Sequence, residues 1–192
     1  MGNLSDISGN ELCAVLLEVV RLRGYTRAAE PFTLSSGGTS YDYVDMRRAV
    51  ANGADLALAA EAVIATLAEA GIQFQTIGGM TMGADPVAHA VAMLGDKSWF
   101  SVRKAEKDHG AKNRVEGARL GPGTLAVVFE DTVSTGRSVL ESLDVVLATG
   151  ASVTAAVTLL DRGEAAKAAF AARGVRYLPL LSYTDLGIDP LG

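Results

Sequence analysis

Apolar positions along this chain change period several times, and each change marks an element. Residues 10–24, NELCAVLLEVVRLRG, carry apolar side chains at helical spacing and end on Gly24, a helix-stop signal. FTLSSGGTSYDYVD (32–45) predicts two short strands around a Ser/Gly turn. The alanine-rich stretch 51–70 predicts one long helix that stops near Gly71. From there the pattern becomes regular. FQTIGG predicts a strand, and ADPVAHAVAML a helix with proline in its first turn. WFSVR and LAVVFED predict strands, RSVLESLDVVLATG a helix closed by glycine, and ASVTAAVTLLD a β-branched strand. EAAKAAFAARG then predicts a helix, and VRYLPLLSY a last strand. Strands alternating with helices imply βαβ units: an α/β fold with a mostly parallel central sheet flanked by helices. No repeat or linker interrupts the pattern, so residues 1–192 are expected to form a single domain. Residues 1–45 would make a small N-terminal lobe and 46–192 the α/β core. His89, inside an apolar helix pattern, and Trp99, at a strand start, both read as core.

Composition narrows the class. A chain of 192 residues can bury a sizeable core. With 49% hydrophobic and 20% charged residues, disordered and fibrous classes are excluded. A net charge of −5 argues against a nucleic-acid partner. No apolar run approaches the ~18 residues of a membrane span, and the first residues lack a basic leader. The single cysteine, Cys13, fits an inert thiol in a reducing compartment. The expectation is a cytoplasmic protein with no membrane partner. No His, Cys or Asp spacing suggests a structural zinc site.

One segment departs from both patterns. RKAEKDHGAKNR (103–114) holds five Lys/Arg and a histidine against two acids. A charge run usually marks a solvated loop, but this one leaves the carboxyl end of a strand, where open α/β sheets bind ligands. IGGMTMGADP and FEDTVSTGRS leave strands at the same edge. In the latter, Glu130 and Asp131 are adjacent, and two such charges in contact repel by about a few kcal/mol at an effective dielectric near 20. The hydroxyls of Thr132, Ser134, Thr135 and Ser138, with Gly136 and a following helix, make an anion site from backbone amides. A phosphate on those amides and a diol on the two carboxylates meet both demands, and ribose 5-phosphate carries both. The chain has no G-x-x-x-x-G-K-[ST], which disfavours a P-loop nucleotidase. A receiver domain would place its acidic pair after the first strand.

VVFEDTVSTGRS resembles the phosphoribosyl pyrophosphate (PRPP) signature of type I phosphoribosyltransferases. RKAEKDHG followed by Glu116-Gly117 is similar to the mobile catalytic loop of orotate phosphoribosyltransferases, and FTLSSG (32–37) and Asp161-Arg162 match that family in kind and order. The likeness spans roughly residues 30–165. It implies a type I phosphoribosyltransferase fold with an N-terminal hood and a mobile loop. The implied reaction joins PRPP and orotate into orotidine 5′-monophosphate and pyrophosphate, with Mg²⁺ carried on the pyrophosphate and no direct protein ligand. Arg103, Lys104, Lys107 and His109 would cover the pyrophosphate, His109 also offering a proton to the leaving group. Glu130 and Asp131 would hold the ribose hydroxyls, and Asp131 joins Arg103, Lys107 and His109 as catalytic. Thr132, Val133, Ser134, Thr135, Gly136, Arg137 and Ser138 would grip the 5′-phosphate, and Thr81 and Met82 would offer amides to pyrophosphate. Ser134, Arg162, Ser35, Tyr43 and Val44 would line the base, Arg162 taking the orotate carboxylate. Ser35 and Met82 stand where many relatives carry lysines. The family pattern also implies a homodimer in which loop residues 103–117 reach the neighbouring site. A phosphoribosyltransferase for another base, and a PRPP-sensing regulator without catalysis, are the competing readings.

Overall fold

The computed structural model describes residues 7–33, 38–104 and 114–191. Ser8 opens α1 (Gly9–Val19) with a capping box closed by Glu11. The helical run stops at Gly24 as the pattern predicts, but its last turn, Val20–Gly24, is a π turn. Gly24 serves close packing, because a Cβ there would stand 2.9 Å from the Ala49 Cβ. The hairpin β1 (Tyr25–Thr33) and β2 (Thr39–Val44) forms a separate two-stranded antiparallel sheet, its first strand starting seven residues before the predicted one. Next come the short α2 (Met46–Ala49) and the long α3 (Gly53–Glu69), capped by Asp45 and Asn52.

The main sheet holds β3 (Thr76–Met80), β4 (Ser98–Val102), β5 (Val115–Gly117), β6 (Leu125–Val133), β7 (Ser152–Asp161) and β8 (Tyr177–Ser182). Their order is β5-β4-β3-β6-β7-β8, with every pairing parallel except β4 with β5. Residues 115–117 are an edge strand that the charge run conceals in the sequence. The chain winds outward one way from β3 to β4 and the other way from β6 to β7. Helix α4 (Asp85–Leu94) therefore crosses on one face of the sheet, and α5 (Arg137–Ala148) and α6 (Ala165–Ala172) on the other. Alternation along β6 serves both layers: Val127 and Phe129 pack with α1, α3 and α4, while Ala126 and Val128 pack with α5 and α6. The short α7 (Tyr183–Leu186) ends the fold.

Two core expectations fail. Trp99 is 40% exposed, and His89 is exposed beside it, the rings meeting edge to face at 4.4 Å. Both lie near the β5 margin, where the sheet ends in a strand of three residues and α4 covers it only in part. Cys13 is half-buried, and burial pushes its thiol upward, away from the reactive thiolate.

Candidate active site

Because β3, β4, β6 and β7 are parallel, the loops after them open on one edge, and the winding reverses between β3 and β6. That reversal is the crevice where open sheets bind ligands. Strand β6 runs two residues further than predicted, to Val133. Val133 is 2% exposed, and its carbonyl accepts from the Arg162 amide at 2.7 Å, so it supports the loop from within the core. The chain then turns through Gly136, whose φ of +80° is the left-handed conformation that glycine adopts without penalty. No side chain among the described residues caps α5 at that point, which leaves its first amides available to a ligand. Residues 132–139 and Glu130 line a cavity of about 450 Å³ over this helix end. Thr132, Ser134, Thr135, Gly136, Arg137 and Ser138 are therefore gathered as the pattern predicts.

Glu130 is 6% exposed and Asp131 half-buried. Burial, reinforced by the Asp131 charge, pushes the Glu130 carboxyl up to about 8. Burial raises Asp131 as well, opposed by the Thr132 amide, which donates to its Oδ1 at 2.8 Å. Glu130 Oε2 is buried without a hydrogen-bond partner among the described residues. The protein thus stores a pair that takes up hydroxyl donors or positive charge favourably. Lys104 and Arg47 lie close enough for their charges to favour ionised Glu130 and Asp131 respectively. Arg47 was not legible as a site residue, because it reads as one more helix arginine.

Across the crevice stands the turn after β3. Gly83 belongs there for lack of space: a Cβ would lie 2.7 Å from Asp131 Oδ1 and 3.0 Å from Glu130 Oε1. Of the two amides expected to face pyrophosphate, that of Thr81 is unavailable, since it donates to the Val102 carbonyl at 2.9 Å. Ala84 donates to Met80 at 3.3 Å. The amides of Met82 and Gly83 have no acceptor among the described residues, and the Met82 side chain is 70% exposed.

A second cavity, of about 290 Å³, opens between the hairpin and the β6 and β7 loops, lined by Phe32, Tyr43, Val44, Ser134, Arg162 and Leu191 among others. Arg162 is 3% exposed, not the exposed strand-end arginine that its position allows. Its Nη1 donates to the Asp42 carbonyl at 2.8 Å, while Nε and Nη2 have no partner among the described residues. Burial lowers its pKa, which marks how poorly its charge is solvated. Asp42 is itself buried, accepting from Tyr25 and Arg27 at 2.8 Å each. Tyr43 is 48% exposed and meets Phe32 edge to face at 5.9 Å. Leu191, absent from the expected set, donates its amide to the Arg162 carbonyl at 2.5 Å. Nothing in its local sequence marks it, since a fold places it there from 29 residues away.

The charged loop is described only at its root. Arg103 donates its amide to the Arg114 carbonyl at 2.8 Å, and Arg114 pairs with Glu141 of α5 at 2.5 Å. The Arg103 side chain lies 3.5 Å from Glu116. Lys107, His109 and Ser35 lie outside the described residues.

A doubly wound sheet with a hairpin hood, an acidic pair at the end of β6 and an open helix terminus beyond it defines the type I phosphoribosyltransferase class. No family model matches the sequence. The chain is 40% identical over 163 residues to an orotate phosphoribosyltransferase of Streptomyces coelicolor, covering 82% of this chain and 88% of that protein. It resembles the crystal structure of the Mycobacterium tuberculosis H37Rv orotate phosphoribosyltransferase in complex with PRPP. There the TM-score is 0.74 and the identity 34%, over 92% of this chain and 99% of that one. An orotate phosphoribosyltransferase from Aeropyrum pernix gives a TM-score of 0.78 at 30% identity, over 90% and 98%. The chain belongs to the orotate phosphoribosyltransferase family.

Proposed function

We propose that the protein transfers the phosphoribosyl group of PRPP to orotate, giving orotidine 5′-monophosphate and pyrophosphate in pyrimidine biosynthesis. One observation carries the choice of base: a buried arginine, with Nε and Nη2 lacking a partner among the described residues, lines a small cavity beside the phosphate loop. A guanidinium fork matches a planar carboxylate, and in a desolvated cavity the match discriminates strongly against bases without one.

The site's parts fall into an order that the reaction needs. The 5′-phosphate sits on the amides of residues 132–138, and the ribose hydroxyls donate to Glu130 and Asp131. Bond breaking at the anomeric carbon builds positive charge on the sugar, next to a carboxylate pair in which Glu130 Oε2 has no partner among the described residues. That charge favours the fully ionised pair, so the pair binds the transition state better than the ground state. The amides of Met82 and Gly83 receive the leaving pyrophosphate. Arg103, Lys104, Lys107 and His109 neutralise its charge, His109 also giving a proton, and their loop serves to keep water from the cation. Orotate stacks along Tyr43 and Val44, with Ser134 and Ser35 at its edge.

Mg²⁺ is the cofactor in this reading, and it supplies charge neutralisation on the pyrophosphate. Among the described residues no group of three or more His, Cys, Asp and Glu gathers into a metal cage. Mg²⁺ also prefers phosphate oxygens and keeps its waters, which supports its arrival on the substrate. A homodimer with residues 103–117 reaching the partner's site, working in the cytoplasm, completes the proposal. No helix among the described residues is long and apolar enough to cross a membrane.

The test follows orotate absorbance with PRPP and Mg²⁺, wild type beside Arg162→Lys. The lysine keeps the charge and loses the fork, so kcat/KM for orotate should fall about 10- to 150-fold, the equivalent of one charge-assisted hydrogen bond of about 1.5–3 kcal/mol. KM for PRPP should stay within about twofold. Turnover of another base without turnover of orotate would overthrow the assignment.

A further inference from the structure

The turn that faces the pyrophosphate position, residues 81–84, contains no cationic side chain. It can receive an anion only through backbone N–H groups, and a backbone donor is useful only while the turn keeps its orientation. Asp85 supplies that constraint from outside the turn. Its Oδ2 accepts from Thr81 Oγ1 at 2.6 Å, and its Oδ1 accepts from Ser101 Oγ at 2.7 Å. Thr81 begins the turn, and Ser101 lies on β4 two residues before Arg103, where the charged loop departs. One carboxylate thus ties the pyrophosphate turn to the end of β4, two residues before Arg103. A lysine would reach its anion by flexing its own stem. A turn without one needs a fixed frame.

We infer that Asp85 is a positioning residue for the pyrophosphate end of PRPP, holding the Met82 and Gly83 amides in register with the root of the 103–114 loop. The inference rests on the phosphoribosyl-transfer reading of the site and adds to it how a lysine-free turn keeps its grip. Asp85 does not line the cavity over the α5 terminus, so its effect is expected at the pyrophosphate end of the ligand alone. That selectivity separates positioning from a general loss of structure.

The experiment measures binding of pyrophosphate and of ribose 5-phosphate separately by calorimetry, with KM for PRPP and melting temperature, in wild type, Asp85→Asn and Ser101→Ala. The Asn variant keeps the size but replaces one acceptor oxygen with a donor that cannot receive a hydroxyl. The expected result is a 10-fold or greater loss of pyrophosphate affinity and a matching rise in KM for PRPP in Asp85→Asn. Ser101→Ala should show a smaller loss, and ribose 5-phosphate affinity should stay within twofold in both. Equal losses for both ligands, or none for pyrophosphate in either variant, would overturn the inference while leaving the site's assignment intact. A wild-type protein that binds neither ligand would overturn both.

Discussion

Glu130→Gln isolates the acidic pair, because it keeps the shape of the side chain and removes its ability to ionise. In the unfolded chain the carboxyl ionises near its ordinary 4.5, whereas in the folded protein burial and Asp131 hold its proton to about 8. The folded-state value is the higher one. The stability linked to that proton is therefore complete below about pH 4.5 and is lost as pH rises through about 8. That interval, about 3.5 pH units at 1.36 kcal/mol each, sets a ceiling near 5 kcal/mol. Water entry and relaxation around a buried charge reduce it, and about 2–3 kcal/mol is expected at pH 9. Glutamine cannot ionise, so the variant escapes this loss. Melting curves of both proteins from pH 5 to 9 should be close at pH 5. They should diverge upward for the variant by about 5–10 °C at pH 9, using about 2–4 °C per kcal/mol for a chain of this size. Comparing the two proteins at each pH cancels the titrating groups that do not interact with Glu130, leaving Asp131 as its coupled partner. A gap that does not change with pH would refute the claim that Glu130 is held protonated by its surroundings.

Gly83→Ala should raise KM for PRPP about 10-fold or more, because the added methyl must displace the acidic pair or the turn, and overpacking of this kind costs about 1–3 kcal/mol. Steady-state kinetics with PRPP varied would show it, and an unchanged KM would mean that turn and pair are further apart in solution. Leu191→Gly removes an apolar wall of the base cavity and should weaken orotate about fivefold, about 1 kcal/mol of lost apolar contact, with PRPP unaffected. An equal loss for PRPP would show that the C-terminal segment supports the whole site.

Much of this architecture is legible in the sequence. Period changes along the chain marked the helices and strands because each element must bury one face, and that need writes itself locally as a 3.6- or 2-residue repeat. The same local logic placed three loops on one sheet edge, since parallel strands share a carboxyl end. Residues 130–138 could be read as an acidic pair followed by an anion loop because their chemistry is contiguous.

What the fold alone decided involves residues distant in sequence. Arg162 is a site arginine because Asp42, 120 positions earlier, accepts its Nη1 and the hairpin seals it from water. Glu130 is raised because the core closes over it, an outcome of desolvation that no neighbouring residue announces. Thr81 lost its expected role because β4 claims its amide, and Trp99 stayed exposed because the sheet ends beside it. Periodicity is a property of one segment and survives in the sequence. Burial of a charge and occupation of a donor depend on which segments meet, and only the assembled chain determines that.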